Sequence, residues 1–254
     1  LPISQPYDVV RCEIEEAISF PTRAVVRLAA TDELDLDGSA MASGEFKPEI
    51  LPYTAIDRFP DSQTMQVRVR ERLVENDEGP RFDCNLQALA KLKPAFAARG
   101  SVTAGNSSQM SDGAGAVLLM SERLVKQLGL KPLARFVSYA VVGVSPRIMG
   151  IGPIAAIPRA LELAGLKQDD MDWIELNEAF AAQSLAVIRD LGLDPAKVNP
   201  LGSAIALGHP LGATGAIRVA TLVHGLRRRG GRYGMVTMCI GTGMGAAGVF
   251  EALR

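Results

Sequence analysis

The stretch that decides the fold is MVTMCIGTGMGAAGVFE (residues 235–251). Two apolar runs, Met235–Ile240 and Ala246–Glu251, flank five residues, of which three are glycine. Short apolar runs are typical of strands, and a glycine-rich connection of this length is typical of a β-hairpin. The stretch therefore predicts an antiparallel pair of strands at this end of the chain.

Strands and helices alternate upstream of this hairpin. Apolar runs predict further strands at 114–120, 134–142 and 173–176. Helical patterns lie at 122–129, 154–164, 178–191 and 213–229. Ser121 is the predicted N-cap of the first of these helices, which stops at Gly129, and Gly230 closes the last. This alternation predicts an α/β layered sheet that ends in an antiparallel pair.

Charge sets the first 44 residues apart. They carry a net charge of −5, whereas the remainder of the chain carries +4. Short strands are predicted at 7–12 and 23–28, followed by connecting structure over 45–100 with one helix at 86–92 that ends before Pro94. The uneven charge indicates that the two parts differ in origin.

Overall composition excludes several functional classes. The 27 basic and 28 acidic residues leave a net charge of −1, which argues against nucleic acid as a partner. Three widely spaced cysteines without a CxxC pair predict neither a disulfide framework nor a metal site, and they fit a reducing cytoplasm. No run approaches the roughly 18 apolar residues that a membrane span needs, and no signal segment is evident.

Three polar or reactive residues lie where predicted elements end. Asn177 follows an apolar strand, and as a single feature it is best interpreted as a helix cap. His209 lies between Gly208 and Pro210, which shape the backbone as an oriented general base requires, although a tight turn with an incidental histidine is the alternative. Cys239 precedes a glycine loop, so it is either a proton donor or nucleophile beside an oxyanion site or a buried packing residue.

The other histidine and the other cysteines are interpreted as structural. His224 lies within a long predicted helix. Cys12 lies in a strand-like alternation, and Cys84 precedes a predicted helix without a glycine loop. None of the three has the surroundings that catalysis needs.

Four motifs, in this order, resemble the thiolase family. They are TAGNSS running on to DGA (103–114), NEAFAAQ (177–183), GHPLGATG (208–215) and CIGTGMG (239–245). The likeness extends from about Ala42 to Arg254 and resembles the bacterial 3-ketoacyl-CoA thiolases of fatty-acid β-oxidation most. It implies a thiolase-like layered α/β/α fold, of which this chain carries the C-terminal half, with no cofactor beyond coenzyme A as substrate.

The resemblance also implies a role for each matching residue. His209 would activate a nucleophilic cysteine, and Asn177 would hold a water that binds the thioester oxygen together with His209. Cys239 would move the proton at the substrate α-carbon, and the N–H of Gly241 would contribute to a second oxyanion hole. These roles agree with the chemistry of cleaving a carbon–carbon bond beside a carbonyl.

The same resemblance assigns a coenzyme A site. Ser108 and Phe180 match positions that line the pantetheine channel of the family. Acyl-CoA substrates are therefore the implied small-molecule partners, and a homo-oligomer or a β-oxidation multienzyme complex is the implied assembly.

The chain departs from the family pattern in its first part. A whole thiolase carries its nucleophilic cysteine in an N-terminal strand-to-helix loop followed by Gly-Ser-Gly, and no such loop is present. Ser203 also stands where the family usually has glycine. Residues 1–40 instead resemble the start of type VI secretion spike (VgrG-like) proteins.

These observations divide the chain into three parts and leave two functions open. The parts are an N-terminal segment at 1–41, the end of the thiolase N-terminal half at 42–110 and the thiolase C-terminal domain at 111–254. The first function is an acyltransferase that lacks its nucleophile in this chain and converts 3-ketoacyl-CoA and CoA to acyl-CoA and acetyl-CoA. The alternative is a non-catalytic module that binds acyl-CoA or a protein.

Overall fold

The computed structural model of the chain describes residues 43–75 and 85–254. The strands in this part are β1 (Tyr53–Pro60), β2 (Val67–Val74), β3 (Ala134–Gly143), β4 (Trp173–Leu176), β5 (Tyr233–Ile240) and β6 (Met244–Ala252). The helices are α1 (Leu86–Ala90), α2 (Glu122–Gln127), α3 (Gly152–Ala164), α4 (Ala181–Leu191), α5 (Ala204–Leu207) and α6 (Thr214–Arg229).

Four strands form the main sheet, in the order β3-β6-β5-β4. β6 pairs antiparallel with both β3 and β5, whereas β4 pairs parallel with β5. The predicted hairpin is confirmed, because β5 and β6 pair with Cys239 opposite Gly245. The predicted α/β architecture is therefore confirmed, with β4, β5 and β6 bringing together the ends that carry the candidate residues.

Helices cover both faces of this sheet. Apolar side chains of α3 and α4 pack with Ile174, Leu176 and Met235 in one core cluster. Leu222 and Leu226 of α6 pack with Trp173 and Val236 in a second cluster. Successive residues of a strand point to opposite faces, so β4 and β5 each contribute to both clusters.

Most predicted helices form, with small shifts at their ends. Ser121 caps α2 by accepting a hydrogen bond from Leu124 N at 3.3 Å. Gly230 ends α6 in the left-handed region, at φ 72°. The helix expected from residue 178 begins at Ala181 instead, with Phe180 as its N-cap.

The strand predicted at 114–120 is wrong. These residues form no strand, and the side chains of Leu118 and Leu119 are 72% and 55% exposed. A strand needs a neighbour to pair its backbone groups, and this segment belongs to neither sheet of the described part of the chain. Its apolar side chains at Leu118 and Leu119 therefore remain exposed.

A hairpin that the sequence analysis missed lies in the region interpreted as connecting structure. β1 and β2 pair antiparallel over eight residues each, and Arg72 Nε donates to Asp57 Oδ2 at 3.2 Å across the pair. The alternation VRVRERLV (67–74) has the period of a strand and could have indicated it.

Two glycines fix the packing of α3 against the sheet. A Cβ built on Gly152 would lie 2.4 Å from the carbonyl oxygen of Met244, and a Cβ on Gly245 would lie 2.1 Å from backbone atoms of Gly152. Only glycine allows two backbones to approach this closely. The start of α3 is thereby held directly against β6.

Several expectations concern residues outside the described ranges. They are the strands at 7–12 and 23–28, the whole of the segment 1–41, and the environments of Cys12 and Cys84. Within the described ranges, no helix has the length and apolar character that crossing a membrane requires.

Candidate active site

Asn177 lies at the carboxyl end of β4, in the interior of the protein. Its backbone N–H donates to Thr237 O of β5 at 3.0 Å, which continues the pairing of the two strands. The interpretation of Asn177 as a helix cap is wrong, since α4 begins four residues later. Its side chain points instead to His209, with Asn177 Nδ2 3.4 Å from His209 Nε2.

His209 is held on both sides of its ring and by its backbone. Its backbone N–H donates to Ser111 Oγ at 2.9 Å, and its ring atom Nδ1 lies 2.7 Å from Thr214 Oγ1. Gly208 has φ 96°, and a Cβ there would lie 2.5 Å from Ser111 Oγ. Glycine at 208 is therefore required for this histidine to take its place.

Electrostatics favour the neutral form of His209. Burial lowers the pKa of the imidazole, and the positive charge of Arg218 lowers it further. A neutral ring keeps a lone pair on one nitrogen, which is what a general base needs. His224, by contrast, is exposed on α6.

Cys239 lies at the same edge of the sheet as Asn177. β4 and β5 run parallel with Leu176 opposite Thr237, so both strands end at this edge, and Cys239 is two residues beyond Thr237. The thiol is half-buried, and burial raises its pKa. Gly241 follows in the exposed turn of the β5–β6 hairpin.

Ser108 and Phe180 lie on two segments that pair with each other. Ser107 and Phe180 form an antiparallel bridge, and Ser108 N–H donates to Ala179 O at 2.9 Å. Ser108 also lines a cleft of about 650 Å³ together with Ser111 and His209. Phe180 contacts Phe96 edge to face, with ring centroids 5.9 Å apart.

A buried polar network lies beneath these residues and was missed by the sequence analysis. Glu175 accepts a hydrogen bond from Trp173 Nε1 at 2.6 Å, and Arg218 Nη1 lies 3.4 Å from its other carboxylate oxygen. Desolvation raises the pKa of Glu175, while Arg218 opposes that effect. The available sequence signal was a charged residue among apolar neighbours in each of two stretches, WIEL (173–176) and AIRVATL (216–222).

Glu178 extends this network toward the site. Its carboxylate accepts from Asn199 Nδ2 at 3.0 Å and from Ile205 N–H at 3.4 Å. Full burial raises its pKa to about 7, against the attraction of Arg218. Within the described residues, no group of three or more His, Cys, Asp and Glu side chains is arranged to hold a metal ion.

Comparison with known proteins places this geometry in a family. Residues 130–252 match the profile described as "Thiolase, C-terminal domain", and residues 29–123 match "Thiolase, N-terminal domain". The second match corrects the expected fold boundary, because residues 29–41 belong to the thiolase-like part and not to a separate N-terminal segment. The resemblance of residues 1–40 to spike proteins is overturned for residues 29–40 by the same match.

Two relatives match this chain over most of its length. The chain is 53% identical over 214 residues to "3-ketoacyl-CoA thiolase" of Bacillus subtilis, covering 84% of this chain and 54% of that protein. It is 56% identical over 216 residues to "3-ketoacyl-CoA thiolase B, peroxisomal" of Rattus norvegicus, covering 84% of this chain and 49% of that protein. The chain thus spans about half the length of these relatives.

Two crystal structures are similar in fold. The acetyl-CoA acetyltransferase of Bacillus anthracis superposes with a TM-score of 0.78 at 46% identity, covering 87% of this chain and 55% of that one. Human mitochondrial 3-ketoacyl-CoA thiolase in complex with CoA superposes with a TM-score of 0.74 at 47% identity, covering 85% and 51%.

Proposed function

Because this chain belongs to the thiolase family, we propose that it carries the base, the proton donor and part of the CoA site of a 3-ketoacyl-CoA thiolase. The reaction is 3-ketoacyl-CoA plus CoA to acyl-CoA plus acetyl-CoA. The observation that carries the proposal is the contact of Asn177 with His209 at the sheet edge where Cys239 also lies.

The first chemical step needs an activated thiolate. A cysteine thiolate attacks the 3-keto carbon, and the bond between that carbon and the α-carbon breaks, which leaves an acyl thioester and the enolate of acetyl-CoA. His209 takes the thiol proton in this proposal, and its neutral form at neutral pH suits that role. Asn177 holds a water, and this water and His209 together bind the thioester oxygen.

The second step gives the enolate a proton. Cys239 donates its proton to the α-carbon, and the raised pKa of its thiol keeps it protonated, as a donor must be. The N–H of Gly241 contributes to the oxyanion site for the enolate oxygen. CoA then enters and gives its thiol proton to the Cys239 thiolate. The CoA thiolate takes the acyl group, and the released nucleophilic thiolate regains the proton held by His209.

In this proposal the attacking cysteine is none of the three cysteines of this chain. Cys239 has the donor role, and Cys12 and Cys84 have no glycine loop after them. The purified chain is therefore expected to cleave acetoacetyl-CoA no faster than buffer does. Cleavage that Cys12→Ala or Cys84→Ala abolishes would show that the nucleophile has been misplaced.

A partial reaction tests the proposed function directly. In its thiolate form Cys239 can remove an α-proton of acetyl-CoA and return a deuteron without any acyl-enzyme. We therefore expect deuterium to enter acetyl-CoA in D₂O at alkaline pH, where part of this thiol is ionised, and proton NMR follows the exchange. Cys239→Ala should abolish the exchange, and the matched control Cys84→Ala should retain it. Absence of exchange by the wild-type chain, with acetyl-CoA bound, would favour the alternative of a non-catalytic acyl-CoA-binding module.

Ser108 and Phe180 are proposed to bind the pantetheine arm. Support comes from the position of Ser108 in the cleft that His209 lines, and from the bridge that joins its segment to Phe180. Titration calorimetry with CoA should show weaker binding for Phe180→Ala. Leu163→Ala removes an exposed side chain on α3 and should bind CoA as the wild type does.

A further inference from the structure

The side chain of Thr214 faces the ring of His209 from the first turn of α6. Its hydroxyl lies 2.7 Å from His209 Nδ1 and 3.0 Å from the carbonyl oxygen of Pro210. Thr214 is only 1% exposed, so solvent has little access to this hydroxyl. The single proton of this buried hydroxyl therefore has two possible acceptors, His209 Nδ1 and Pro210 O.

A threonine hydroxyl has one proton to donate and lone pairs to accept with. In the first turn of a helix, threonine commonly donates to the carbonyl four residues earlier, which here is that of Pro210. The geometry has the hydroxyl donating to Pro210 O at 3.0 Å, where the backbone N–H groups of Ala213 and Thr214 also donate, at 2.7 and 2.9 Å. The lone pairs of Thr214 Oγ1 are then left for His209 Nδ1, which must carry the ring proton.

The opposite side of the ring agrees with this assignment through the longer contact of 3.4 Å to Asn177, whose Oδ1 has no hydrogen-bond partner among the described residues. His209 Nε2 faces the amide nitrogen of Asn177, which can only donate. A proton on Nε2 would set two donors against each other in a site where Asn177 is completely buried. Nε2 is therefore the acceptor.

We propose that Thr214 is a positioning residue that fixes the tautomer of His209, with the proton on Nδ1 and the lone pair on Nε2. The importance for catalysis rests on the proposed function, in which Nε2 is the base, but the tautomer itself does not. Thr214 does not touch the substrate in this proposal, and it acts only through the histidine.

The experiment uses the two histidines of the chain, His209 and His224. Labelling histidine rings with ¹⁵N and recording long-range proton–nitrogen correlations above the titration of His209 shows which nitrogen carries the proton. We expect a protonated, pyrrole-like shift for His209 Nδ1 and a pyridine-like shift for Nε2. His224, exposed on α6, serves as the reference in every sample.

Two variants separate the hydroxyl from the packing of the side chain. Thr214→Val keeps the shape without the hydroxyl, so the His209 shifts should move toward a mixture of tautomers. Thr214→Ser keeps the hydroxyl and should restore the wild-type shifts. If Thr214 served only to pack the protein, Thr214→Val would leave the tautomer of His209 unchanged.

Two outcomes would overturn the proposal. One is a wild-type His209 with its proton on Nε2, which decides the question even if Thr214→Val fails to fold. The other is a folded Thr214→Val variant with both His209 nitrogen shifts unchanged. Acetyl-CoA exchange is a separate measurement, so failure of the proposed function leaves this result standing.

Discussion

Asn199 donates a hydrogen bond from Nδ2 to the carboxylate of Glu178 at 3.0 Å. The same amide also pairs with both backbone groups of Leu176, accepting from its N–H and donating to its C=O at 2.8 Å each. Ser203 Oγ adds a fourth bond, to Leu176 O at 3.1 Å. These bonds join the end of β4, which carries Asn177, to the loop that leads to His209.

We expect Asn199→Ala to destabilise the protein by at least about 2 kcal/mol, because it leaves buried backbone groups and a buried carboxylate without partners. Urea unfolding measures the loss, with the fluorescence of the single tryptophan, Trp173, as the probe. Asn85→Ala is the control: Asn85 caps the exposed helix α1, and its removal should cost about 1 kcal/mol or less. Equal losses in the two variants would contradict the argument.

Glu178 should make stability depend on pH. Its pKa is about 7 in the folded protein against a usual value of 4.5, so the folded state holds the proton more tightly than the unfolded state. Stability should therefore fall as pH rises from about 4.5 through 7, by an amount on the order of 3 kcal/mol at most.

Glu178→Gln removes this titration and tests it. The variant should lose the fall in stability over that pH range and gain relative to wild type above pH 7. Urea unfolding at a series of pH values provides the measurement. If the free energies of unfolding of variant and wild type changed in parallel with pH, Glu178 would be ionised at neutral pH in the folded protein.

Arg218→Met should destabilise the protein by about 3–5 kcal/mol, because it leaves the buried carboxylate of Glu175 without its partner. Adding Glu175→Gln to that variant should recover much of the loss. Arg135→Met is the matched control, since its bridge to Glu251 is formed by a side chain that is 62% exposed, and should cost less than about 1 kcal/mol. Unfolding free energies of the four proteins decide between these expectations.

An exposed apolar face predicts association. Phe136 and Tyr139 of the edge strand β3 are 52% and 53% exposed, and Leu118 adds to the exposed apolar surface. Exposed apolar patches of this kind favour self-association.

Light scattering at micromolar concentration should give a mass above that of one chain. The double variant Phe136→Lys and Tyr139→Lys should shift the mass toward that of one chain. A wild-type protein that is monomeric and unfolds cooperatively would contradict the prediction of a homo-oligomer.

Elements with local signals were predictable from the sequence. The β5–β6 hairpin, α2 with its Ser121 cap and α6 with its Gly230 stop follow from short-range patterns, and so do the candidate residues at element ends. The strand at 114–120 was not predictable in this way, because pairing depends on a neighbour and not on the apolar run itself. Likewise, the network of Glu175, Glu178 and Arg218 joins the end of β4 to α6, and Arg218 is 43 residues away from Glu175 along the chain, so only the fold reveals it.

The contact between Gly152 and Gly245 has a consequence for how substitutions at these positions would be read. A methyl group on Gly152 would press on the β6 backbone at Met244 and Gly245, and one on Gly245 would press on the backbone of Gly152. Either would displace the part of β6 that pairs opposite Cys239. No smaller neighbouring side chain can compensate, because the obstructing atoms are backbone. In a mutational scan, both glycines would therefore score as loss of proton transfer, although neither contributes a reactive group.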